Sequence, residues 1–304
     1  MPAFCSCATN GSNTGAPSGQ KVISIGVKLI LVNLIADDGT QNHIASSDTI
    51  DTAYVNGKLN ETDKTKRWFP LGDFDNVAEN REDPTFQEFD TGSRSITRLG
   101  RRTWSGILLQ HSSRYLAKLE GWFCQSFGVY AVDNCGNLVG RISADGTKLF
   151  PVSVNESSWA AILQKATFTE AGGINLSFDV KKTMRDKDLR QIDASEMSYD
   201  MLDAEGLRDV TSVISGESTT GFVAALTLPF DEFLSTAPVA NGWVGSDFDL
   251  YNTTDAASVA ITSANESPDG TYTFVIPTQD SADVLRLRSA KNGFDMGDIF
   301  ITIP

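Results

Sequence analysis

Residues able to carry covalent or metal chemistry are scarce in this chain. Among 304 residues there are two histidines, His43 and His111, and four cysteines, Cys5, Cys7, Cys124 and Cys135. Tetrahedral zinc wants tightly spaced ligand pairs. Cys5-Ser6-Cys7 is one such pair, but Cys124 and Cys135 stand eleven residues apart. The thiols are therefore expected to be free, as in a reducing compartment. Asp186-Lys187-Asp188 and Asp247-Phe248-Asp249 do not continue into a calcium loop, which needs more oxygen ligands and a closing Glu. No GxSxG occurs, so the nucleophile elbow is missing. Gly11 to Gly19 is glycine-rich but lacks the strand-before, helix-after setting that aims backbone N–H groups at a phosphate. His111 falls on an apolar stripe and His43 in a polar turn, so no triad can be argued. Carboxylates are abundant enough for some pair to meet glycosidase spacing by chance, and none is singled out. The expectation is a chain with no catalytic, cofactor-binding or metal-binding residues, not an enzyme.

Charge is the stronger signal. Lys and Arg total 25 against 39 Asp and Glu, a net charge of −14. That disfavours general nucleic-acid binding, which is built on phosphate neutralisation. The charge is uneven: net −6 over residues 1–90, +5 over 91–150, −2 over 151–200 and −11 over 201–304. Arg94, Arg98, Arg101 and Arg102 cluster in the basic segment, and Asp73, Asp75, Glu79, Glu82, Asp83, Glu88 and Asp90 lie just before them. Arginine pairs bidentately with carboxylates, so a basic face of one copy could meet an acidic face of the next. Chance surface composition is the plain alternative. The expected subunit interface comprises Arg94, Arg98, Arg101, Arg102, Asp73, Asp75, Glu79, Glu82 and Asp83, anchored by Trp68 and Phe69.

These residues must be held by something, and the texture is mainly that of strands. Residues 1–20 are Ser/Gly/Asn-rich and read as a flexible arm. They carry no basic-then-apolar leader, so no secretory signal is expected. Val22 to Ala36 reads as strand, and with Lys28 and Asn33 in it is too short for a membrane span. Asp37-Asp38-Gly39 is a turn, and residues 46–66 read as a long loop. Trp104, Leu108, His111, Tyr115, Leu119 and Trp122 recur at steps of three and four, predicting a helix over 104–122. Strands follow at Phe123–Val132, Leu138–Ile142, Lys148–Val154 and Ile174–Val180, with a short helix from Ser157-Ser158 to Ala166. Residues 193–215 read as a linker containing a short helix. Six short strands then follow at Phe222–Leu228, Trp243–Tyr251, Val259–Ser263, Thr271–Ile276, Val284–Leu287 and Ile299–Ile303, the spacing of a small β-sandwich. The boundary falls near 210, giving an arm (1–20), a β domain with long loops (21–210) and a sandwich (211–304).

The segments Leu116–Gly121, Phe127–Asp133, Gly136–Gly140 and Asp145–Pro151 resemble virion structural proteins of tailed phages, most nearly tail tube proteins. The resemblance covers about residues 20–195. It implies a tail-tube-like β-sandwich or barrel with one flanking helix, forming homo-hexameric rings stacked into a tube. An immunoglobulin-like β-sandwich at the C-terminal end is common in such proteins, and residues 211–304 fit one. The implied partners are copies of the chain, other tail or connector proteins, and phage DNA passing through without specific binding. No membrane is implied. The implied location is the virion tail, after synthesis in the host cytoplasm. A head–tail connector or capsid decoration protein stands beside this reading. So does a glycan-binding adhesin using Trp243, Phe248, Tyr251 and Tyr272, or a hydrolase with two facing carboxylates.

Overall fold

The computed structural model describes residues 23–109, 112–169, 171–229 and 236–304. The expected arm and His111 lie outside them. The chain is mainly β, with 44% strand and 11% helix. It divides into two compact units, one ending at Gly206 and one spanning Leu207–Pro304.

The first unit contains, in chain order, β1 (Gly26–Asn33), β2 (Ile44–Ala45), α1 (Thr52–Leu59), β3 (Phe69–Pro70), β4 (Phe74–Arg81), β5 (Thr85–Glu88), β6 (Arg94–Arg98), β7 (Arg102–Leu109) and α2 (Ser113–Glu120). It continues with β8 (Phe127–Asp133), β9 (Leu138–Ile142), β10 (Lys148–Phe150), β11 (Val152–Ser153), β12 (Ala160–Gln164), β13 (Gly173–Asp179) and β14 (Leu189–Ile192). The larger sheet runs β2-β10-β9-β8-β1-β3, with β11 joined to β8 and β14 to β9. A four-stranded sheet runs β12-β13-β7-β4.

The larger sheet is covered on both faces. Leu29, Leu31, Phe127 and Val129 meet Trp104, Leu108, Ile174, Leu176 and Phe178 of the smaller sheet. Ile30, Val32, Tyr130 and Val132 meet Val55 and Leu59 of α1, together with Trp68, Met197 and Met201. Burial on both faces is why β1 and β8 read as near-continuous apolar runs without alternation. The polar interruption in β1, Lys28, is itself buried; it donates to the Leu202 carbonyl and lies 3.5 Å from Asp73.

Several local expectations are corrected. Residues 102–109 form strand β7, not helix, and α2 begins only at Ser113, capped by the Ser112 hydroxyl accepting from Tyr115 N–H. Trp104 and Leu108 are four apart, which satisfies a period of two as well as a helical turn. Gly106 between them breaks the tie, because a Cβ there would stand 2.8 Å from the Trp104 ring and 3.1 Å from Phe74. The 46–66 segment contains α1, capped by Asp51 accepting from Tyr54 N–H at 2.8 Å. It buries only Val55 and Leu59, too few for a visible stripe. The expected helix at 157–166 is a 3₁₀ turn (Glu156–Ser158) followed by strand β12. Trp159 is buried with its indole donating to Leu119 O at 2.7 Å, while Ile162 is 63% exposed, so no shared apolar face exists. Cys124 is a free, exposed thiol, whereas Cys135 is disulfide-bonded, against the expectation of free thiols throughout.

The second unit contains β15 (Arg208–Asp209), β16 (Thr211–Ser218), β17 (Gly221–Thr227), β18 (Phe248–Asn252), β19 (Ala257–Ser258), β20 (Ser263–Glu266), β21 (Thr271–Val275), β22 (Val284–Ser289), β23 (Phe294–Asp295) and β24 (Ile299–Thr302). Part of the expected linker is thus strand β16, and of the expected strand Val259–Ser263 only Ser263 is strand, opening β20, the rest connecting β19 to it. One sheet runs β16-β17-β21-β20 and the other β19-β18-β22-β24. Lettered in chain order this is A-B-E-D against C′-C-F-G, the strand order of the immunoglobulin fold. The unit has no cysteine, so aromatic packing joins the sheets in place of a disulfide. Phe248 of one sheet meets Phe274 of the other edge-on (4.8 Å), Phe274 stacks on its own sheet's Phe222 (4.7 Å), and Trp243 lies 5.2 Å from Phe248. The buried Tyr272 hydroxyl donates to Ala240 O (2.9 Å) and accepts from Trp243 N–H (3.1 Å).

Candidate functional site

The arginines and carboxylates singled out in the sequence converge on one feature. Strands β4 and β7 pair antiparallel from Phe74↔Leu108 to Arg81↔Arg102. The ladder passes through Glu82 N–H bonded to Arg101 O (2.9 Å) and continues into β5–β6, from Thr85↔Arg98 to Glu88↔Arg94. Residues 74–109 are therefore one long hairpin. Its base belongs to the smaller sheet, and its outer half pairs only with itself among the described residues. Gly92, at φ 74°, closes the tip. Gly100 sets the waist, since a Cβ there would fall 1.5 Å from Glu82 O.

Opposite charges face each other along this hairpin. Arg94 pairs with Glu88 near the tip. Arg98 and Arg101 both reach Glu82, at 2.9 and 2.7 Å. At the base, Arg102 is largely buried, with 13% of its side chain exposed. Its Nε and Nη2 donate to Glu79 Oε1 (3.0 and 2.6 Å) and its Nη1 to Asp186 Oδ1 (2.8 Å). Arg81 also pairs with Asp186 and, with Arg102, holds that carboxyl below its ordinary range. The charge complementarity expected between copies is thus realised within one chain. Exposed pairs of this kind each contribute little to stability.

The remaining expected interface residues are placed differently. Asp73 lies beside Lys28, and Asp75 and Asp83 are exposed. Trp68 is 3% exposed, in the core beneath α1, with Tyr130 at 5.6 Å. Phe69 packs edge-on against Trp122 at 5.2 Å. These two anchor the unit's own interior. The apolar groups that do reach the surface were not singled out: Phe86 (50% exposed), Phe89 (47%), Ile96 (53%) and Leu99 (50%), all on the outer hairpin. Phe86 and Ile96 are cross-strand partners and share one face. A sequence signal existed, since all four interrupt an otherwise charged stretch.

Beneath the hairpin base, a cleft of about 360 Å³ opens between the two sheets. Apolar residues such as Ile25, Leu29, Val129 and Phe178 line most of it, with Glu79, Arg102 and Asp186 as its charged wall. Trp104 also lines it, and its indole N–H has no hydrogen-bond partner among the described residues. Among the described residues, no group of three or more His, Cys, Asp or Glu side chains could hold a metal. His43 directly precedes β2 rather than lying in a turn, and its Nδ1 is 2.8 Å from Gln41 O.

No family model, curated protein or solved structure matches this chain. The aromatic platform suggested for glycan binding is not formed by the residues named for it. Trp243, Phe248 and Tyr272 are core residues of the second unit, and only Tyr251 reaches the surface. No helix among the described residues is long and apolar enough to cross a membrane.

Proposed function

We propose that this protein is a non-catalytic structural subunit of a tailed-phage virion, assembling into rings that stack as a tail tube for genome passage. The observation that carries the proposal is the outer hairpin. A two-stranded ribbon is marginal by itself in water, yet this one presents Phe86, Phe89, Ile96 and Leu99 to solvent in the single chain. Burying such a face against another copy removes apolar area from water and supplies the support the ribbon lacks. A second element supports the same reading. Strand β12, which packs against α2, ends its sheet among the described residues, carries no charge or proline, and exposes Ile162. An edge strand without charge or proline is an aggregation hazard in a monomer and a pairing site in an assembly. The net charge of −14 suits a conduit that DNA crosses without sticking. Partners in this reading are copies of the chain, other tail or connector proteins, and transiting DNA. A connector ring or decoration protein would use the same surfaces in another part of the virion.

Negative-stain electron microscopy across a concentration series tests this. Rings or hollow tubes of constant diameter are expected, and lost in a Phe86→Asp/Ile96→Asp double variant whose circular dichroism is unchanged. Strictly monomeric particles at high concentration would overturn the proposal.

A further inference from the structure

The second unit carries 13 acidic against 4 basic residues. Two of its cations, Arg286 and Arg288, stand on β22 in the middle of the β19-β18-β22-β24 sheet. Arg288 is neutralised. It faces Asp249 across β18, and Asp298 takes its guanidinium through two bonds, one at 3.0 Å from Nη2 to Oδ2. Arg286 is different. Its cross-strand neighbours are Tyr251 on β18 and Phe300 on β24. Its guanidinium carbon lies 4.9 Å from the Tyr251 ring centre. No carboxylate pairs with it among the described residues, and its buried Nε–H has no hydrogen-bond partner. Phe300 beside it is 62% exposed. The sheet thus presents a row of aromatic, unpaired arginine and aromatic. At about 4.8 Å between strands the row spans about 10 Å, the length of one or two sugar rings.

The geometry points to a binding site on the Tyr251–Arg286–Phe300 row for a saccharide bearing a carboxylate, of the uronic-acid class. Each part has a defined role. Arginine presents planar donors matched to a carboxylate, and its own donors are not already taken. Stacking on Tyr251 orients the guanidinium and leaves it charged. Exposed Phe300 offers an apolar face to the C–H side of a sugar ring. The unit's net charge of −9 selects among anions. Polyanions such as DNA or a glutamate-rich peptide are repelled as a whole, whereas a short saccharide with few charges among neutral hydroxyls needs only the local cation. This site is independent of assembly through the first unit's hairpin and stands or falls separately.

Calorimetric titration of the intact 304-residue chain with digalacturonate, digalactose and a glutamate-rich peptide tests it. Digalacturonate is expected to bind and digalactose to bind at least about tenfold more weakly, the loss of a charge-assisted hydrogen-bond pair. Arg286→Gln should weaken digalacturonate binding by a similar factor, and Arg286→Lys should restore it only in part, because lysine lacks the planar fork. Phe300→Ala, at an exposed position that leaves the core intact, tests the same row if the arginine variants fail to fold, and should weaken binding several-fold. Val213→Ser, on the opposite sheet, should change nothing. Equal binding of the two disaccharides, preference for the peptide, or full binding by Phe300→Ala or by folded Arg286→Gln would overturn the assignment.

Discussion

At the scale of single residues, a few atoms hold positions that nothing else can fill. Gly100 has its missing Cβ pointed at the Glu82 carbonyl. Gly100→Ala should force the hairpin open at its waist, at a cost on the order of 1–3 kcal/mol, and limited proteolysis should cut within 82–100 faster than in the parent. Asn252 is a buried hub: its Nδ2 faces Asp255, Gln279 and Asp283 at 2.9–3.1 Å, and its Oδ1 accepts from Thr254 and Asp255 N–H. Asn252→Ala leaves the buried Asp283 short of a donor, so about 1–3 kcal/mol of stability should be lost, read as a lower denaturant midpoint in residues 207–304 alone, where Trp243 is the single tryptophan. Asp186 gives a pH dependence. Its folded carboxyl is held below the ordinary 3.8, chiefly by the hydrogen bond from Arg81. The unfolded chain therefore takes up the proton first as pH falls. Its stabilisation is present above pH 3.8 and lost on acidifying below that value, and Asp186→Asn should flatten this part of the stability–pH curve.

At the scale of elements, the long hairpin shows that several of the opposite charges expected to meet between copies pair within one chain. The sequence brings seven acids ahead of four arginines, and their pairing follows from chemistry. Whether the partners lie in one chain or two depends on where the chain turns. The turn falls at 89–93, with Phe89 N–H bonded to Ser93 O, so the pairs form locally. What remains for a partner is the apolar Phe86–Ile96 face. Replacing only the charges, as in Arg94→Gln/Glu88→Gln, should leave any assembly intact at raised salt, whereas Phe86→Asp should abolish it. Sedimentation velocity in both variants distinguishes the two contributions. The same dependence on context explains β7. Trp104 and Leu108 fit either period, and the smaller sheet, closing over Gly106, chose the strand.

At the scale of the whole molecule, each unit has a separate core. Leu207–Pro304 encloses Phe222, Trp243, Phe248, Tyr272 and Phe274 without a cysteine. Cut at the boundary, residues 207–304 should therefore unfold cooperatively alone, with Trp243 fluorescence reporting the transition. A featureless, non-cooperative melt would show that the core depends on the first unit.

The sequence by itself determined the mainly β character, most of the strands and the acidic cast of the surface. Period-two alternation, Gly- and Asn-rich turns and net charge are local properties, legible wherever one face of a strand is dry. The Asp37-Asp38-Gly39 signal falls at a turn for that reason, with Gly39 at positive φ. The tertiary structure alone decided the rest. Which face of β1 meets which core depends on covering layers contributed by distant residues, Val55 on one side and Trp104 on the other. Trp68 is interior because α1 covers it. Trp243, Phe248 and Tyr272 are interior because two sheets close over them, while Tyr251, on the alternate face of β18, is left beside Arg286. An aromatic or an arginine has the same composition in a core, an ion pair or a binding row; only the neighbours brought to it by folding settle which of these it is.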